Sequence, residues 1–231
     1  MPERLLLIPA AGVGERMKIG YPKQYFPLID NVTMLEVTVN RLAAMNLFDR
    51  IAVVVSDKDS YIETCRFEGN VTVYRCGGET RAQSVLNGLI AAAPGDNDWV
   101  FVHDAARPCV EKDSVLRLID TVENEAVDGA ILAMPVSDTI KWVNDKGIIE
   151  KTIDRSRCYR AQTPQVFQAE ALISALKEAK GSVTDEASAM EMKGATVKVV
   201  EGSAFNIKVT YPDDIQIVRN YLQSIQKGQE K

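Results

Sequence analysis

The hydrophobic pattern along the first two thirds of the chain predicts strands that alternate with helices. The first apolar run, 5–9, is typical of a strand that is buried on both faces. In 80–93, by contrast, Val85, Leu89 and Ala93 recur at helical spacing. The predicted strands are 5–9, 51–57, 71–77, 99–105 and 129–136, and the predicted helices are 33–45, 80–93 and 113–126. This order implies βαβ units, and hence an α/β fold with a mostly parallel, twisted sheet and helices on both faces.

The pattern changes after residue 136. Residues 138–155 hold two short β-like runs around the turn sequence 144–147, which predicts a β-hairpin. The hairpin carries the apolar residues Ile140, Trp142, Val143, Ile148 and Ile149. A protruding arm that packs against a second subunit would bury them, and a hairpin folded back on its own sheet is the alternative.

The rest of the chain returns to mixed helix and strand. We expect helices over 169–180 and from Thr184, a strand over 196–202, and a final helix with Pro212 in its first turn. No internal repeat or low-complexity linker interrupts the pattern. We therefore expect one domain over residues 1–231, with 138–155 as an arm within it.

Composition narrows the class of partner. The 231 residues are 46% hydrophobic and carry a net charge of -5, which supports a proper core and argues against a nucleic acid polymer as partner. A small anionic ligand remains possible because it responds to local charge. The four cysteines lack metal-ligand spacing, so we expect free, buried thiols. The first apolar run is too short for a signal peptide or a membrane span, so we expect a reduced, cytoplasmic protein without a membrane partner.

The loop after the first strand combines small residues with cations. Ala10, Ala11 and Gly12 leave their backbone amides accessible. The cations Arg16 and Lys23 follow shortly afterwards in the sequence. The spacing matches neither a Walker A motif nor a dinucleotide-binding fingerprint. Amides and cations at the end of a strand suit a polyphosphate, although a tight strand-to-helix turn is the simpler alternative.

A second small-residue loop follows the predicted strand 71–77. Gly78 lies in this loop, and Ser84 lies in the first turn of the next helix. In a parallel sheet this loop reaches the same carboxyl edge as the first one, where such folds bind ligands. Glu79 is either an acceptor for an amino or hydroxyl group of the ligand or an acidic residue that complements the helix dipole.

The third candidate stretch is the sequence VHDAARP at 102–108. Asp104 comes as the apolar strand ends and should face the ligand edge. A carboxylate beside phosphates needs an intervening cation, which suggests a Mg²⁺ bridge, and an ion pair with Arg107 is the alternative. His103 is the only histidine and lies within a strand, so we interpret it as a hydrogen-bonded structural residue and not a general base.

Eight motifs occur in a fixed order over nearly the whole chain: PAAGVGERM, PKQY, GGETRAQSV, VHDAARP, DTIK, QTPQ, TDEASAM and NIKVT. With these motifs the chain resembles the 2-C-methyl-D-erythritol 4-phosphate cytidylyltransferase family. The resemblance implies a Rossmann-like nucleotidyltransferase fold. It also implies a Mg²⁺-dependent reaction in which CTP and methylerythritol phosphate give CDP-methylerythritol and pyrophosphate, a step of the non-mevalonate route to isoprenoids.

The resemblance also implies roles for individual residues. Arg16 and Lys23 would stabilise the transition state and the departing pyrophosphate, and Arg155 and Lys208 would hold the methylerythritol phosphate. The CTP pocket would be formed by Ala10, Ala11, Gly12, Gly78, Glu79 and Ser84, and the second substrate or its metal would be contacted by Asp104, Arg107 and Thr163, with Asp104 as a metal ligand. Family members are homodimers in which the arm crosses to the partner, so Arg155 would serve the other subunit's site.

The implied chemistry agrees with the residues, and some alternatives stay open. A phosphate nucleophile is already ionised at neutral pH and needs no general base, which fits a chain that is poor in histidine. Positioning and cations would supply the catalysis. The alternatives are a pentitol phosphate cytidylyltransferase, acting for example on ribitol 5-phosphate, and a non-catalytic nucleotide-binding protein of the same fold. The incomplete glycine fingerprint disfavours a nicotinamide-dependent dehydrogenase.

Overall fold

Strands and helices follow the alternation that the sequence predicts. The computed structural model describes residues 2–12, 20–179 and 183–229. Its strands are β1 (Arg4–Pro9), β2 (Pro27–Ile29), β3 (Val32–Thr33), β4 (Arg50–Val55), β5 (Val71–Arg75), β6 (Trp99–Val102), β7 (Gly129–Pro135), β8 (Ile140–Val143), β9 (Ile149–Ile153), β10 (Tyr159–Gln168) and β11 (Val197–Glu201). Its helices are α1 (Met34–Ala43), α2 (Arg81–Ala92), α3 (Lys112–Asn124), α4 (Ala169–Glu178), α5 (Glu186–Met192) and α6 (Pro212–Gln229).

The central sheet has seven strands in the order β11-β7-β10-β6-β1-β4-β5. Neighbouring strands are parallel except where β10 pairs with β6 and with β7. This arrangement confirms the predicted α/β class with a mostly parallel sheet.

Helices cover both faces of the sheet because the side chains of each strand alternate in direction. In β1, Leu6 and Ile8 pack with α1 and α3, whereas Leu5 and Leu7 pack with α2, α4 and α5. All four side chains are at most 1% exposed. The continuous apolar run is thus explained by burial on both faces, as predicted.

The antiparallel strand β10 is the main element that the sequence pattern does not predict. Pro164 argues against a central strand, because proline has no N–H for the ladder. The strand accommodates Pro164 at an irregularity, where its pairing with β7 shifts between Ala161 and Gln165. Val166 and Phe167 then continue the strand in the core. The insertion of β10 between β6 and β7 brings Thr163 beside the loop that follows β6.

Strands β8 and β9 form the predicted hairpin arm. They pair only with each other among the described strands, in a two-stranded sheet separate from the central one. Trp142 is 58% exposed, and Val143, Ile148 and Ile149 are exposed as well. The arm therefore does not fold back to bury these apolar side chains on its own sheet, which was the alternative.

A third apolar cluster holds residues 206–210, the segment that precedes α6. Val209 packs with Ile215 and Val218 of α6 and with Ala106, which follows β6. The Val209 N–H also donates to the Ala106 carbonyl at 2.8 Å. Residues 206–210 form neither strand nor helix, yet these contacts hold them against the loop that contains Asp104.

The described residues also bear on the cysteines and on membrane spans. All four cysteines are free, as predicted, but Cys65 and Cys109 are buried while Cys76 and Cys158 are partly exposed. The expectation that all four are buried is therefore wrong for two of them. None of the helices in the described ranges has the length and apolar character needed to cross a membrane.

Candidate active site

One edge of the sheet gathers the loops that the sequence analysis selected. Strands β1, β4, β5 and β6 are mutually parallel, so their carboxyl ends meet at this edge. A cavity of about 780 Å³ opens there, hereafter the first cavity. It is lined by Pro9, Ala10, Ala11, Gly12, Lys23, Gln24, Gly78, Glu79, Thr80, Arg81, Ser84, Asp104, Ala105, Ala106, Lys208 and Thr210.

Small residues allow the first two loops to touch. A Cβ atom at Gly77 would lie 2.3 Å from the Ala11 Cβ and 3.0 Å from the Val55 carbonyl oxygen. Any side chain at Gly77 would therefore push the loops apart. The next turn is closed by Ser84, whose Oγ accepts from the Gly78 N–H at 3.0 Å and donates to the Thr80 carbonyl at 2.9 Å. The wall of the first cavity is thus built from closely packed backbone.

Gln24 holds the first loop and was missed by the sequence analysis. Its Nε2 donates to the carbonyl oxygens of Ala10 at 2.5 Å and Gly12 at 3.0 Å. The side chain is buried, and Gln24 lies in the 3₁₀ turn Lys23–Tyr25 beside the first cavity. Its position next to Lys23 in the PKQY motif was the signal that could have drawn attention to it.

Lys23 lines the first cavity, as the predicted role requires. Its Nζ donates to the Val209 carbonyl at 2.8 Å, which links the 3₁₀ turn to the segment before α6. Arg16, the other predicted transition-state cation, lies outside the described residues.

Asp104 contacts three cations. Its Oδ1 lies 3.0 Å from Arg81 Nε, and its Oδ2 lies 3.1 Å from Arg107 Nε and 3.0 Å from Lys208 Nζ. The pair with Arg107 is one of the two alternatives from the sequence analysis. The other two partners are distant in sequence, and the fold alone brings them together.

These charges determine the state of the Asp104 carboxyl. Burial by itself would raise its pKa, but Arg81, Lys208 and Arg107 outweigh burial and hold the pKa well below its ordinary value of 3.8. Both oxygens already contact cations of the chain. The described residues also contain no group of three or more His, Cys, Asp or Glu side chains that could hold a metal ion. Because cations of the chain already contact both of its oxygens, the Asp104 carboxylate does not fit the predicted role of a magnesium ligand.

Arg81 joins Asp104 to a second buried carboxylate, that of Glu186. Its NH1 and NH2 donate to Glu186 Oε1 and Oε2 at 2.6 and 3.1 Å. Burial alone would lower the pKa of Arg81, but the carboxylates of Glu186 and Asp104 outweigh burial and raise it. The sequence analysis missed Arg81. It is the first residue of α2, where the helix dipole disfavours a cation, and that conflict was a usable signal.

A smaller cavity of about 260 Å³, hereafter the second cavity, adjoins the first. Its lining includes Arg107 and Thr163, and it shares Arg81, Asp104 and Lys208 with the first cavity. The remaining lining residues are Ala161, Gln162, Gln165, Thr184 and Asp185. Two ligands bound side by side would therefore meet at the three shared side chains.

His103 is a hydrogen-bonded structural residue, as predicted, but it lies directly after β6 and not within the strand. Its Nε2 is 3.0 Å from the Arg107 carbonyl, so this nitrogen carries the proton, and Nδ1 accepts from the Thr163 hydroxyl at 3.1 Å. The Thr163 oxygen in turn accepts from the Asp104 N–H at 3.0 Å. Burial lowers the pKa of His103 to about 4, which keeps the imidazole neutral. This chain of hydrogen bonds fixes the loop that carries Asp104 and Arg107.

Among the residues that the structure describes, Arg155 is the predicted site residue that these cavities do not include. It begins the 3₁₀ turn Arg155–Arg157 directly after the arm, and its guanidinium donates to the Ser137 carbonyl. It lines neither cavity. The other described residues that were predicted for the site line one cavity or both, and their individual roles stay predictions.

A mostly parallel sheet with small-residue loops and cations at its carboxyl edge is typical of α/β proteins that bind phosphorylated ligands. Comparison with known proteins makes the class specific. A family model described as 2-C-methyl-D-erythritol 4-phosphate cytidylyltransferase matches residues 5–224. The chain belongs to this family, which confirms the resemblance found in the motifs.

Individual relatives agree with the family match. The chain is 43% identical over 226 residues to the 2-C-methyl-D-erythritol 4-phosphate cytidylyltransferase of Aliivibrio fischeri strain MJ11, covering 96% of this chain and 94% of that one. It is 43% identical over 220 residues to the protein of the same name from Chromobacterium violaceum, covering 94% and 97%. The crystal structure of the enzyme from Francisella tularensis has a TM-score of 0.82 and 37% identity, covering 95% and 99%.

Proposed function

We propose that this chain transfers a cytidylyl group from CTP to 2-C-methyl-D-erythritol 4-phosphate, releasing pyrophosphate, as a step of isoprenoid biosynthesis. Membership of the family and the names of its relatives support the reaction. The observation that carries the proposal is the pair of adjoining cavities that share Arg81, Asp104 and Lys208. A transfer between two bound anions needs a place where the two substrates meet, and these three shared side chains form the boundary between the cavities.

The sizes and linings of the cavities support an assignment of substrates. CTP occupies the first cavity, against the backbone of Ala10–Gly12 and beside Glu79 and Ser84. Methylerythritol phosphate occupies the second cavity, near Arg107 and Thr163. Lys208 lines both cavities, so its charge can bind the phosphate of the second substrate where it faces CTP.

The chemical step needs positioning and charge stabilisation. An oxygen of the substrate phosphate attacks the α-phosphorus of CTP in line, while the bond between that phosphorus and the bridging oxygen of pyrophosphate breaks. The nucleophile is already an anion, so no proton has to be removed. The reaction therefore does not need the buried, neutral His103 as a base. Lys23 stabilises the charge that develops on the departing pyrophosphate, together with Arg16.

Magnesium enters the proposal only with the nucleotide. Mg²⁺ usually keeps several waters and binds substrate phosphates, and a bound ion would neutralise part of the charge on the triphosphate. Because Asp104 already contacts three cations, we assign no side chain of the described residues as a metal ligand. The expected dependence on Mg²⁺ then reflects CTP and not a metal site built by the protein.

The exposed arm supports a homodimer. Trp142, Val143, Ile148 and Ile149 present apolar surface that a second copy of the chain would bury. Arg155 follows the arm and lines neither cavity of its own chain. This position fits a role in binding the substrate in the partner subunit's site. Free thiols suit a reducing compartment, so we infer a cytoplasmic location, and the acidic composition argues against nucleic acid as a partner.

The decisive experiment measures pyrophosphate release from CTP and Mg²⁺ with a panel of polyol phosphates. We expect turnover with methylerythritol phosphate and much less with ribitol 5-phosphate. Lys23→Ala should abolish most of this turnover, whereas Lys177→Ala, at an exposed position outside both cavities, should not change it. Preference for a pentitol phosphate, or CTP binding without turnover on any acceptor, would overturn the proposal.

A further inference from the structure

Glu186 is a buried carboxylate that lines neither cavity. It is 1% exposed and is the first residue of α5. Both of its carboxylate oxygens accept hydrogen bonds from the guanidinium of Arg81, at 2.6 and 3.1 Å. Burial of an ionised carboxylate is costly unless a partner compensates it, and a forked pair with arginine is the strongest such compensation. The location of this pair next to the site therefore requires an explanation.

The pair is connected to the site through the third nitrogen of the guanidinium. Arg81 Nε donates to Asp104 Oδ1 at 3.0 Å, and Arg81 lines both cavities. Because Glu186 occupies both terminal nitrogens, the plane of the guanidinium is fixed, and so is the direction in which Nε points. One planar group thus connects the start of α2, the start of α5 and the loop after β6.

The other two cations hold the opposite oxygen of Asp104. Arg107 Nε and Lys208 Nζ both contact Oδ2, and Arg81 is the described cation on Oδ1. Arg107 is itself fixed, since its NH1 donates to the Asn206 carbonyl at 2.7 Å. The carboxylate is therefore held from two sides, and its rotation depends on Arg81 remaining in place.

We propose that Glu186 is a positioning residue for the transfer reaction, acting through Arg81 to hold the Asp104 carboxylate at the boundary of the two cavities. The proposal rests on the proposed function, because only in that function do two substrates meet between the two cavities. The ionised Asp104 can only accept hydrogen bonds, so it can orient hydroxyl groups of the sugar-alcohol substrate. Without the charge of Glu186, the plane of the guanidinium is no longer fixed and Asp104 loses its support on Oδ1.

The test compares Glu186→Gln with Glu36→Gln in the wild-type background. Glu36 is also a buried carboxylate and takes part in the capping box of α1, but it lines neither cavity. We expect Glu186→Gln to lower kcat by about tenfold to a hundredfold and to raise KM for methylerythritol phosphate, since small misplacements of reacting groups have effects of that order. The dissociation constant for CTP should stay within about threefold, because Ala10–Gly12 and Ser84 are untouched. Glu36→Gln should lower the melting temperature without this kinetic pattern.

Two further variants keep the test independent of the folding of Glu186→Gln. Arg81→Lys keeps the charge but loses the forked geometry, and should reproduce the loss in kcat. Glu186→Asp keeps the charge and should recover part of the activity. Because the two residues act as a unit, the double variant Arg81→Lys with Glu186→Gln should be no worse than about the poorer single variant.

The possible outcomes separate this proposal from the proposed function. If the wild type gives no turnover with CTP and methylerythritol phosphate, the proposed function is wrong. If the wild type is active and both Glu186→Gln and Arg81→Lys retain its kcat and KM, the positioning role is wrong. A kinetic loss in Glu36→Gln equal to that in Glu186→Gln would likewise overturn it, because it would assign the effect to general destabilisation.

Discussion

The substitution Asp104→Asn probes the charge cluster at the centre of the site. Asparagine has nearly the shape of aspartate but lacks the negative charge, so three cations at 3.0 to 3.1 Å lose their shared counter-ion. The side chain of Asp104 is only 8% exposed, so water compensates for the lost carboxylate only in part. The variant should therefore be clearly less stable than the wild type.

The structure gives the approximate size of this loss. Removing one partner from a buried ion pair costs about 3–5 kcal/mol. The lower end applies here, because Arg81 keeps Glu186 as a partner and the side chain of Lys208, at 37% exposure, can turn to water. A loss of about 3 kcal/mol corresponds to a fall in melting temperature of about 6–12 °C for a chain of this size.

The pH dependence of the difference supplies an independent check. The folded state holds the pKa of Asp104 below its ordinary value of 3.8, so the unfolded state binds more protons as the pH falls through that range. The contribution of Asp104 to the unfolding free energy is therefore present at neutral pH and is lost as the pH falls below about 4. The stability curves of the wild type and the variant should converge in acid.

Thermal and denaturant unfolding of the wild type and the variant measure both effects. The matched control is Glu125→Gln, which removes an acid from the ion pair with Lys198, where both side chains are 44% exposed. Exposed pairs contribute about 0–1 kcal/mol, so the control should change little. Equal losses in the two variants, or a difference at neutral pH that persists undiminished in acid, would refute the idea of a buried charge cluster.

Four other predictions concern the remaining parts of the site. Gln24→Glu replaces a double donor to two loop carbonyls with an acceptor, so CTP should bind at least about tenfold more weakly in calorimetry, and an unchanged affinity would contradict the clamp. The imidazole signals of His103, the only histidine, should not titrate between pH 6 and 8 in NMR spectra, because burial lowers its pKa to about 4. The free energy of unfolding should accordingly fall as the pH drops from 6.5 toward 4, since only the unfolded state gains the proton. Lys208→Ala should raise KM for methylerythritol phosphate more than KM for CTP, and the reverse order would remove Lys208 from the second substrate. Mixed dimers of Arg155→Ala and Lys23→Ala subunits should recover some activity, and none in verified heterodimers would exclude exchange of the arm.

The fold was largely predictable because periodicity is a local property. The apolar run 5–9 and the helical spacing in 80–93 correspond to β1 and α2. The strand β10 was not predictable in the same way, since Pro164 argues against a strand until the irregular pairing with β7 is known. Hydrophobic periodicity reports burial of a segment, but it carries no information on which neighbour the segment pairs with.

The site divides along the same physical line. The sequence by itself determined that small residues and cations follow the first strands, because loop chemistry and strand ends are written in consecutive residues. Only the tertiary structure decided what Asp104 contacts: Arg81 and Lys208 come from other elements, and Glu186 reaches Arg81 across 105 positions of the chain. Ion pairs form wherever the topology brings charged side chains within a few ångströms of each other. The order of residues along the chain does not determine these distances in space.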